Sequence, residues 1–340
     1  MLEKTPCIIC KKDAEIKLEN FNGYREGENF DIYYCSSCNT SFVWPQKVDT
    51  QIYDSIYSQA DFVPGYNRYA LYANEIKYVK NALKYLAGKE AMYFAVKKIL
   101  MQNIGKSENI LEVGSGLGYL TYAIRQEGYS ATGLDISTDA VNKARASFGN
   151  NYICEDVYQY ALKNIGKFDV VLLTEIIEHV PDPSAFLDAL MSLLKPGGKL
   201  IISTPNKSAY PSNEYWNTEL PPVHLTWLSE DSFIAISLQK NFSVSFFDFS
   251  DFNKKHFDFT KYKYYESYNK RHERLPTLNL KGEVLNPKNL VKNNSLPQPV
   301  LKFKKYFKSI IERIVMLSPL TNKKHFERNL ILCAILKKGQ

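Results

Sequence analysis

The sequence predicts an α/β protein, a doubly wound and mostly parallel sheet with a small cysteine-rich unit at its N-terminus. Three observations carry this. Apolar strands alternate with amphipathic helical stretches from about residue 105 to residue 252. The first of these strands, Ile110–Val113, runs into three closely spaced glycines, and the second ends in Asp135. Two CxxC pairs occupy the first 38 residues.

A chain of 340 residues, 45% of them hydrophobic, can bury one or two cores. No apolar run approaches the roughly 20 residues of a membrane helix. The opening MLEKTPCIICKK lacks the pattern of a secretory leader. The expected location is cytoplasmic. The net charge of +7 is uneven. Residues 253–340 carry 20 Lys or Arg against 6 Asp or Glu, leaving the first 252 residues acidic. A basic last third points to an anionic partner or to a solvated lysine surface.

Segment 1–44 holds Cys7–Cys10 and Cys35–Cys38 with 24 residues between the pairs. That spacing suits a four-thiolate structural Zn2+ site, with two turns aiming their sulfurs at one point. Four cysteines leave no coordination position open, so the expected role is structural, a zinc ribbon. Disulfides are disfavoured in a reducing compartment. Cys154 and Cys333 lie in apolar stretches and are expected as reduced core residues.

Segment 45–104 reads as a linker and helical cap. A helix is expected from about Leu71, with Ile76, Val79, Leu83 and Leu86 on one side and Gly88 at its end. A second follows over Ala91–Gln102. Tyr66, Tyr69 and Tyr72 either line a pocket or pack the linker on the core.

Segment 105–252 carries the main chemistry. In ILEVGSGLGYLT, Gly114, Gly116 and Gly118 allow a tight turn and bring a ligand close to bare backbone at a helix N-terminus. Asp135 lies about 19 residues past the middle glycine, where a carboxylate can accept from two ribose hydroxyls. Further strands are NYIC, followed by Glu155, Asp156 and Val157, then FDVVLLT, and a strand entered through Pro-Gly-Gly.

The set EVGSGLG, LDIS, CEDV, FDVVLLTE and LKPGGKL resembles the class I S-adenosylmethionine-dependent methyltransferases over about residues 105–250. The resemblance implies a Rossmann-like methyltransferase sheet of seven strands. It implies that Glu112, Gly114, Gly116 and Gly118 cradle the methionine part of S-adenosyl-L-methionine, with Tyr119 beside them. Asp135, with Ile136 next to it, would hold the ribose. Asp156 and Val157 would face the adenine, and Thr174 would border the sulfonium. A nicotinamide dehydrogenase would show GxGxxG, whereas the glycines here run GxGxG.

Residues 174–183, TEIIEHVPDP, follow the fourth strand, on the rim where open parallel sheets bind ligands. A helical turn there sets Glu175, Glu178 and His179 on one face. His224 arrives on the same rim from the loop after strand five, ahead of a helix capped by Ser229. Two carboxylates and two imidazoles suit a divalent cation with open positions. The arrangement resembles metal-assisted small-RNA 2′-O-methyltransferases and ubiquinone-pathway O-methyltransferases, in which matching residues hold Mg2+ or a similar ion beside a hydroxyl pair. Two other readings stay open: His179 or His224 as general base without a metal, and a structural Glu–His contact.

Segment 253–328 reads as a basic insertion or lid. Within residues 299–317, Val300, Phe303, Phe307, Ile310, Ile311 and Ile314 form the apolar face of an amphipathic helix. That face suits packing on the protein or lying on a membrane surface. Tyr and Lys alternate in KYKYYESYNKRHER, a composition that can also hold RNA. Segment 329–340 is expected as the final strand, antiparallel in the resembled family. The functions weighed are O-methylation of a small anionic or sugar-type substrate, an RNA methyltransferase of 2′-O type, and a cofactor-binding adaptor.

Overall fold

The computed structural model describes residues 4–46, 49–63, 65–209, 220–240, 242–256, 275–285 and 329–339. The amphipathic stretch 299–317 and the Tyr/Lys-rich segment expected to meet membrane or RNA lie outside these residues. So does most of the basic excess.

The N-terminal unit is an antiparallel meander of β1 (Lys4–Pro6), β2 (Asp13–Asn22), β3 (Asn29–Cys35) and β4 (Thr40–Val43). A fifth strand joins it from far along the chain: β10 (Thr226–Trp227) pairs with β4 through Thr226–Phe42 and Trp227–Ser41. The meander is thus stitched to the loop that follows the fifth strand of the main sheet.

Next come α1 (Thr50–Ser58), α2 (Asn67–Glu75), α3 (Ala82–Lys89) and α4 (Ala91–Asn103). The single helix expected from Leu71 to Gly88 is broken. Val79 is extended, and the Asn81 side chain accepts from the Lys84 amide at 2.7 Å to cap a new helix. A local cap overrides the apolar period. Gly88 lies inside α3, which is followed by Glu90.

The main sheet is built from β5 (Asn109–Val113), β6 (Ser130–Asp135), β7 (Tyr152–Cys154), β8 (Phe168–Thr174), β9 (Leu194–Pro205), β11 (Phe242–Phe246) and β12 (Ile331–Lys338). Their order is β11-β12-β9-β8-β5-β6-β7. The strands β9, β8, β5, β6 and β7 run parallel, whereas β12 is antiparallel to both neighbours. The expected closing strand is therefore present. The helices between strands are α5 (Tyr119–Gln126), α6 (Thr138–Phe148), α7 (Val157–Lys163), α8 (Pro183–Leu193), α9 (Glu230–Lys240) and α10 (Ser250–Lys255).

The strands are apolar on both faces because both are covered. Leu111, Val171, Leu173, Leu200 and Ile202 face α8, α9 and the cysteine unit, in one core with Phe186, Leu190, Phe233 and Phe42. Ile110, Val170, Leu172 and Ile201 face α3, α4 and α5, among Leu83, Val96, Ile99 and Leu120. Cys333 is fully buried in that second core, as expected. Cys154 is exposed instead, because β7 is the edge strand. The chain winds outward from β5 to β7 and then returns to β8 on the other side of β5. That reversal lies at the carboxyl ends of β5 and β8, the place where open α/β sheets bind ligands.

Candidate functional site

The turn after β5 is shaped for close approach. Gly114, Gly116 and Gly118 all have positive φ, at 72°, 49° and 80°. A Cβ on Gly118 would strike Tyr152 and Ala144, so that glycine serves packing. A Cβ on Gly116 would meet nothing within 4 Å, so its backbone faces open space. The Gly116 amide donates to Asp135 Oδ2 at 2.7 Å, and the Ser137 amide to Oδ1 at 2.8 Å. Each carboxylate oxygen keeps a lone pair for a further donor. Ile136, next to it, is 71% exposed, an apolar surface. Asp156 caps α7, accepting from the Tyr158 and Gln159 amides. Its expected partner, an adenine edge, would use the second oxygen.

Glu112 lies beneath the turn, 3% exposed, and takes a hydrogen bond from the Thr121 hydroxyl. Burial pushes its carboxyl up to about 8, with the hydrogen bond opposing. Tyr119 is buried and shares a 2.6 Å hydroxyl contact with Tyr93. Tyr72 meets Tyr85, Tyr93 and Tyr119 edge-on. Tyr72 therefore packs the cap beside the glycine turn, while Tyr66 packs with Ile52, Ile56 and Val223 and meets Tyr69 edge-on.

Arg68 enters between these tyrosines, and sequence reasoning missed it. Its guanidinium lies over the Tyr69 ring at 4.8 Å and pairs with Glu90 at 3.2 Å and Glu175 at 3.3 Å. One signal was present. Arg68 is the sole arginine in residues 26–124 of a lysine-rich chain, and arginine is the cation suited to stacked, partly buried pairing.

Beyond β8 the expected set divides. Glu175 adopts φ +57° and its amide donates to Ser203 O at 2.9 Å. The helical turn begins only at Ile177, a short 3-10 turn over Ile177–His179. Glu175 therefore does not share a face with Glu178 and His179; it turns to Arg68. Burial raises its carboxyl to about 7, against the pull of Arg68. The other three converge. Ligand atoms of Glu178, His179 and His224 lie within 4.8 Å of one another. The two imidazole centroids are 4.8 Å apart. Thr174 ends β8 beside this group.

Hydrogen bonds orient two of the three. Thr204 Oγ1 donates to Glu178 Oε2 at 3.0 Å, while Oε1 is buried without a partner among the described residues. His179 Nδ1 lies 2.8 Å from Val223 O and 3.3 Å from the Tyr53 hydroxyl. A proton on Nδ1 serves that carbonyl and leaves Nε2 with a free lone pair. His224 Nδ1 is buried and unpartnered among the described residues. Burial holds His179 down to about 4 and His224 well below its usual value, with the His179 charge adding to the effect on His224. Burial and the nearby Glu175 charge raise Glu178. Two neutral imidazoles and a carboxylate with idle lone pairs fit a cation that would repay their desolvation.

In the N-terminal unit, Cys7 and Cys38 sulfurs lie 3.6 Å apart and Cys10 and Cys35 sulfurs 3.4 Å apart. All four lie within 4.8 Å of one another. A tetrahedral thiolate site with Zn–S near 2.3 Å needs sulfurs about 3.8 Å apart. The contact with Cys38 pulls Cys7 down to about 5. The Ile9 amide also points at its sulfur, 3.4 Å away. The four residues fit a structural ion.

Comparison with known proteins gives partial matches. The chain is 35% identical over 118 residues to a ubiquinone biosynthesis O-methyltransferase of Coxiella burnetii, covering 33% of this chain and 50% of that protein. It is 39% identical over 104 residues to the protein of the same name from Colwellia psychrerythraea, covering 29% of this chain and 42% of that one. The chain thus spans about half the length, or less, of these curated relatives. Among solved structures, a SAM dependent methyltransferase from Archaeoglobus fulgidus aligns at 20% identity and TM-score 0.39, over 72% of this chain and 93% of that one. An S-adenosylmethionine dependent methyltransferase from Mesorhizobium loti aligns at 15% identity and TM-score 0.43, over 74% and 100%. Residues 83–245 match a protein family described as a methyltransferase domain. That match, just under half of the chain, spans both the glycine turn and the cluster beyond β8: residues 83–245 are similar to a methyltransferase domain, on a sheet of Rossmann-like order.

Proposed function

We propose that the chain is an S-adenosylmethionine-dependent O-methyltransferase acting on a hydroxyl of a small anionic or sugar-type molecule. One observation carries the choice of oxygen: Glu178, His179 and His224 bring their ligand atoms within 4.8 Å of one another, with Glu178 Oε1 and His224 Nδ1 buried and unpartnered among the described residues. The relatives named as O-methyltransferases support the same choice.

The cofactor, when bound, supplies an electrophilic methyl group on a sulfonium that is already a good leaving group. The Gly116 backbone leaves room for it, Asp135 accepts from its ribose, and Ile136 offers an apolar face to its base. Arg68, half-buried against Tyr69, suits its carboxylate. The remaining task is to present an acceptor oxygen in line and without its proton. A divalent cation held by Glu178, His179 and His224 would lower the pKa of a bound hydroxyl. Without one, His179 can accept the proton at Nε2, since Val223 O fixes the proton at Nδ1. Glu175, paired with Arg68, stands outside this donor set.

The test is methyl transfer from labelled cofactor to extract fractionated into small molecules and RNA, with and without chelator. Label is expected in an anionic small-molecule fraction, at a rate that falls on chelation and recovers with Mg2+ or Mn2+. Label entering only RNA would replace the substrate class. An undiminished rate after stripping would transfer the role to the histidine base.

A further inference from the structure

The four-cysteine unit and the Glu178–His179–His224 cluster are far apart in sequence yet joined by a short run of backbone. His224 lies between two residues whose main chains are both committed. Val223 O faces His179 Nδ1 at 2.8 Å. The Leu225 amide donates to Glu178 O at 2.9 Å. On its other side Leu225 O accepts from the Val43 amide at 2.9 Å, and β10 pairs onto β4 directly after it. The segment bearing His224 is therefore clamped between the 3-10 turn and β4.

β4 in turn hangs from the second cysteine pair. Cys38 O accepts from Ser229 Oγ at 3.3 Å and Ser232 Oγ at 3.1 Å. Thr40 Oγ1 lies 2.8 Å from Ser232 Oγ and 3.1 Å from Cys38 Sγ. Ser229 and Ser232 cap α9 reciprocally, Ser232 N donating to Ser229 Oγ at 3.2 Å and Ser229 N to Ser232 Oγ at 2.9 Å. The cysteine pair thus holds the α9 end of the stretch directly, and β4, which follows the pair, holds its Leu225 end. Cys38, Thr40, Ser41, Ser229 and Ser232 are all buried, so water cannot replace these bonds without opening the interface.

We propose that the four-cysteine unit is a positioning element for the acceptor site: the ion it binds holds β4 against β10 and so fixes His224 over Glu178 and His179. It works as a wall of the active site, and none of the hydrogen bonds that join it to the His224 segment reaches the glycine turn. This rests on reading those three residues as the acceptor site, so its test uses readouts that separate the two ideas.

The full chain is stripped of thiolate-bound zinc with a mercurial and a chromogenic chelator, then reversed with thiol and zinc. Hydrogen exchange is followed in peptides covering 223–229, 176–180 and 109–118. Zinc loss is expected to speed exchange at 223–229 and 176–180 by about tenfold or more, with 109–118 little changed. S-adenosylhomocysteine affinity, by calorimetry, should move less than about threefold. Mn2+ binding, read by its paramagnetic resonance and chosen because thiolates disfavour it, should weaken about 10- to 100-fold. Because stripping can unfold the unit, Ser232→Ala is run beside it with all cysteines intact. It should reproduce the 223–229 exchange change in smaller measure while retaining zinc. Exchange at 223–229 that stays unchanged while zinc leaves would overturn the proposal. Exchange that rises equally at 109–118 would overturn it too, reducing the unit to a general stabiliser. If Mn2+ binds neither form, the acceptor-site reading fails, and the exchange result still decides the positioning role.

Discussion

Glu112 shows how one side chain records the ligand its surroundings expect. It is an acid buried under a backbone turn, with burial raising its carboxyl from 4.5 to about 8. A carboxyl whose folded value is raised contributes stability that is complete below about pH 4.5 and is lost as pH rises through about 8. The free protein should therefore lose denaturant stability over that window, and Glu112→Gln should flatten the slope. Equal slopes for both proteins in urea melts would exclude the assignment. At Gly116 the expectation is different. A valine there must adopt positive φ and fill the space above the turn, so S-adenosylhomocysteine affinity should fall about tenfold or more by calorimetry. Retained affinity would mean the ligand approaches elsewhere. His224→Ala should slow turnover while leaving that affinity within error, because His224 lies beyond β8 and off the glycine turn. A full-rate variant would remove it from the site. These residue types were legible in the sequence because each belongs to a local signal: glycines in a turn, an acid in the strand before it, a histidine in the loop after strand five. Arg68 and Tyr53 were not, since their meaning comes from partners more than 100 residues away.

At the scale of single elements, short capping signals prevail over apolar period. The break at Asn81 turned one expected helix into two, and the 3-10 turn at Ile177 separated Glu175 from the residues expected beside it. The same physics stabilises α8. Asp182 accepts from the Ala185 amide at 3.0 Å, and Pro183 follows at the first helical position. Asp182→Ala should cost about 1 kcal/mol in a urea melt, with activity altered little. A loss under about 0.3 kcal/mol would show that α8 is held by packing alone. β10 illustrates the opposite case. Two residues, Thr226 and Trp227, carry no readable strand signal, and they become a strand because β4 offers an edge.

For the molecule as a whole, the last strand closes the sheet. β12 lies between β9 and β11 and buries Leu332, Cys333, Ala334 and Leu336. Removing residues 329–340 would strip both neighbours of their ladder and open the two cores. The truncated chain should fail to fold cooperatively, which far-ultraviolet dichroism during thermal melting would reveal. A sharp, native-like transition would show the sheet to be stable without it. The chain ends of the basic third are thereby tied to the core at both sides, after α10 and before β12.

The sequence by itself determined the sheet, its nucleotide-type turn, the antiparallel closing strand and the gathering of four cysteines. Each rests on periodicity or spacing within a few dozen residues, which the backbone must obey wherever the segment is placed, save the antiparallel direction of the closing strand, which the family resemblance implied. Only the tertiary structure decided which members of TEIIEHVPDP meet. It sent Glu175 to Arg68, brought His224 to Glu178 and His179, and made the cysteine unit share a sheet with the loop that carries His224. Those outcomes depend on desolvated polar groups finding partners across long sequence separations, a requirement that no local pattern encodes.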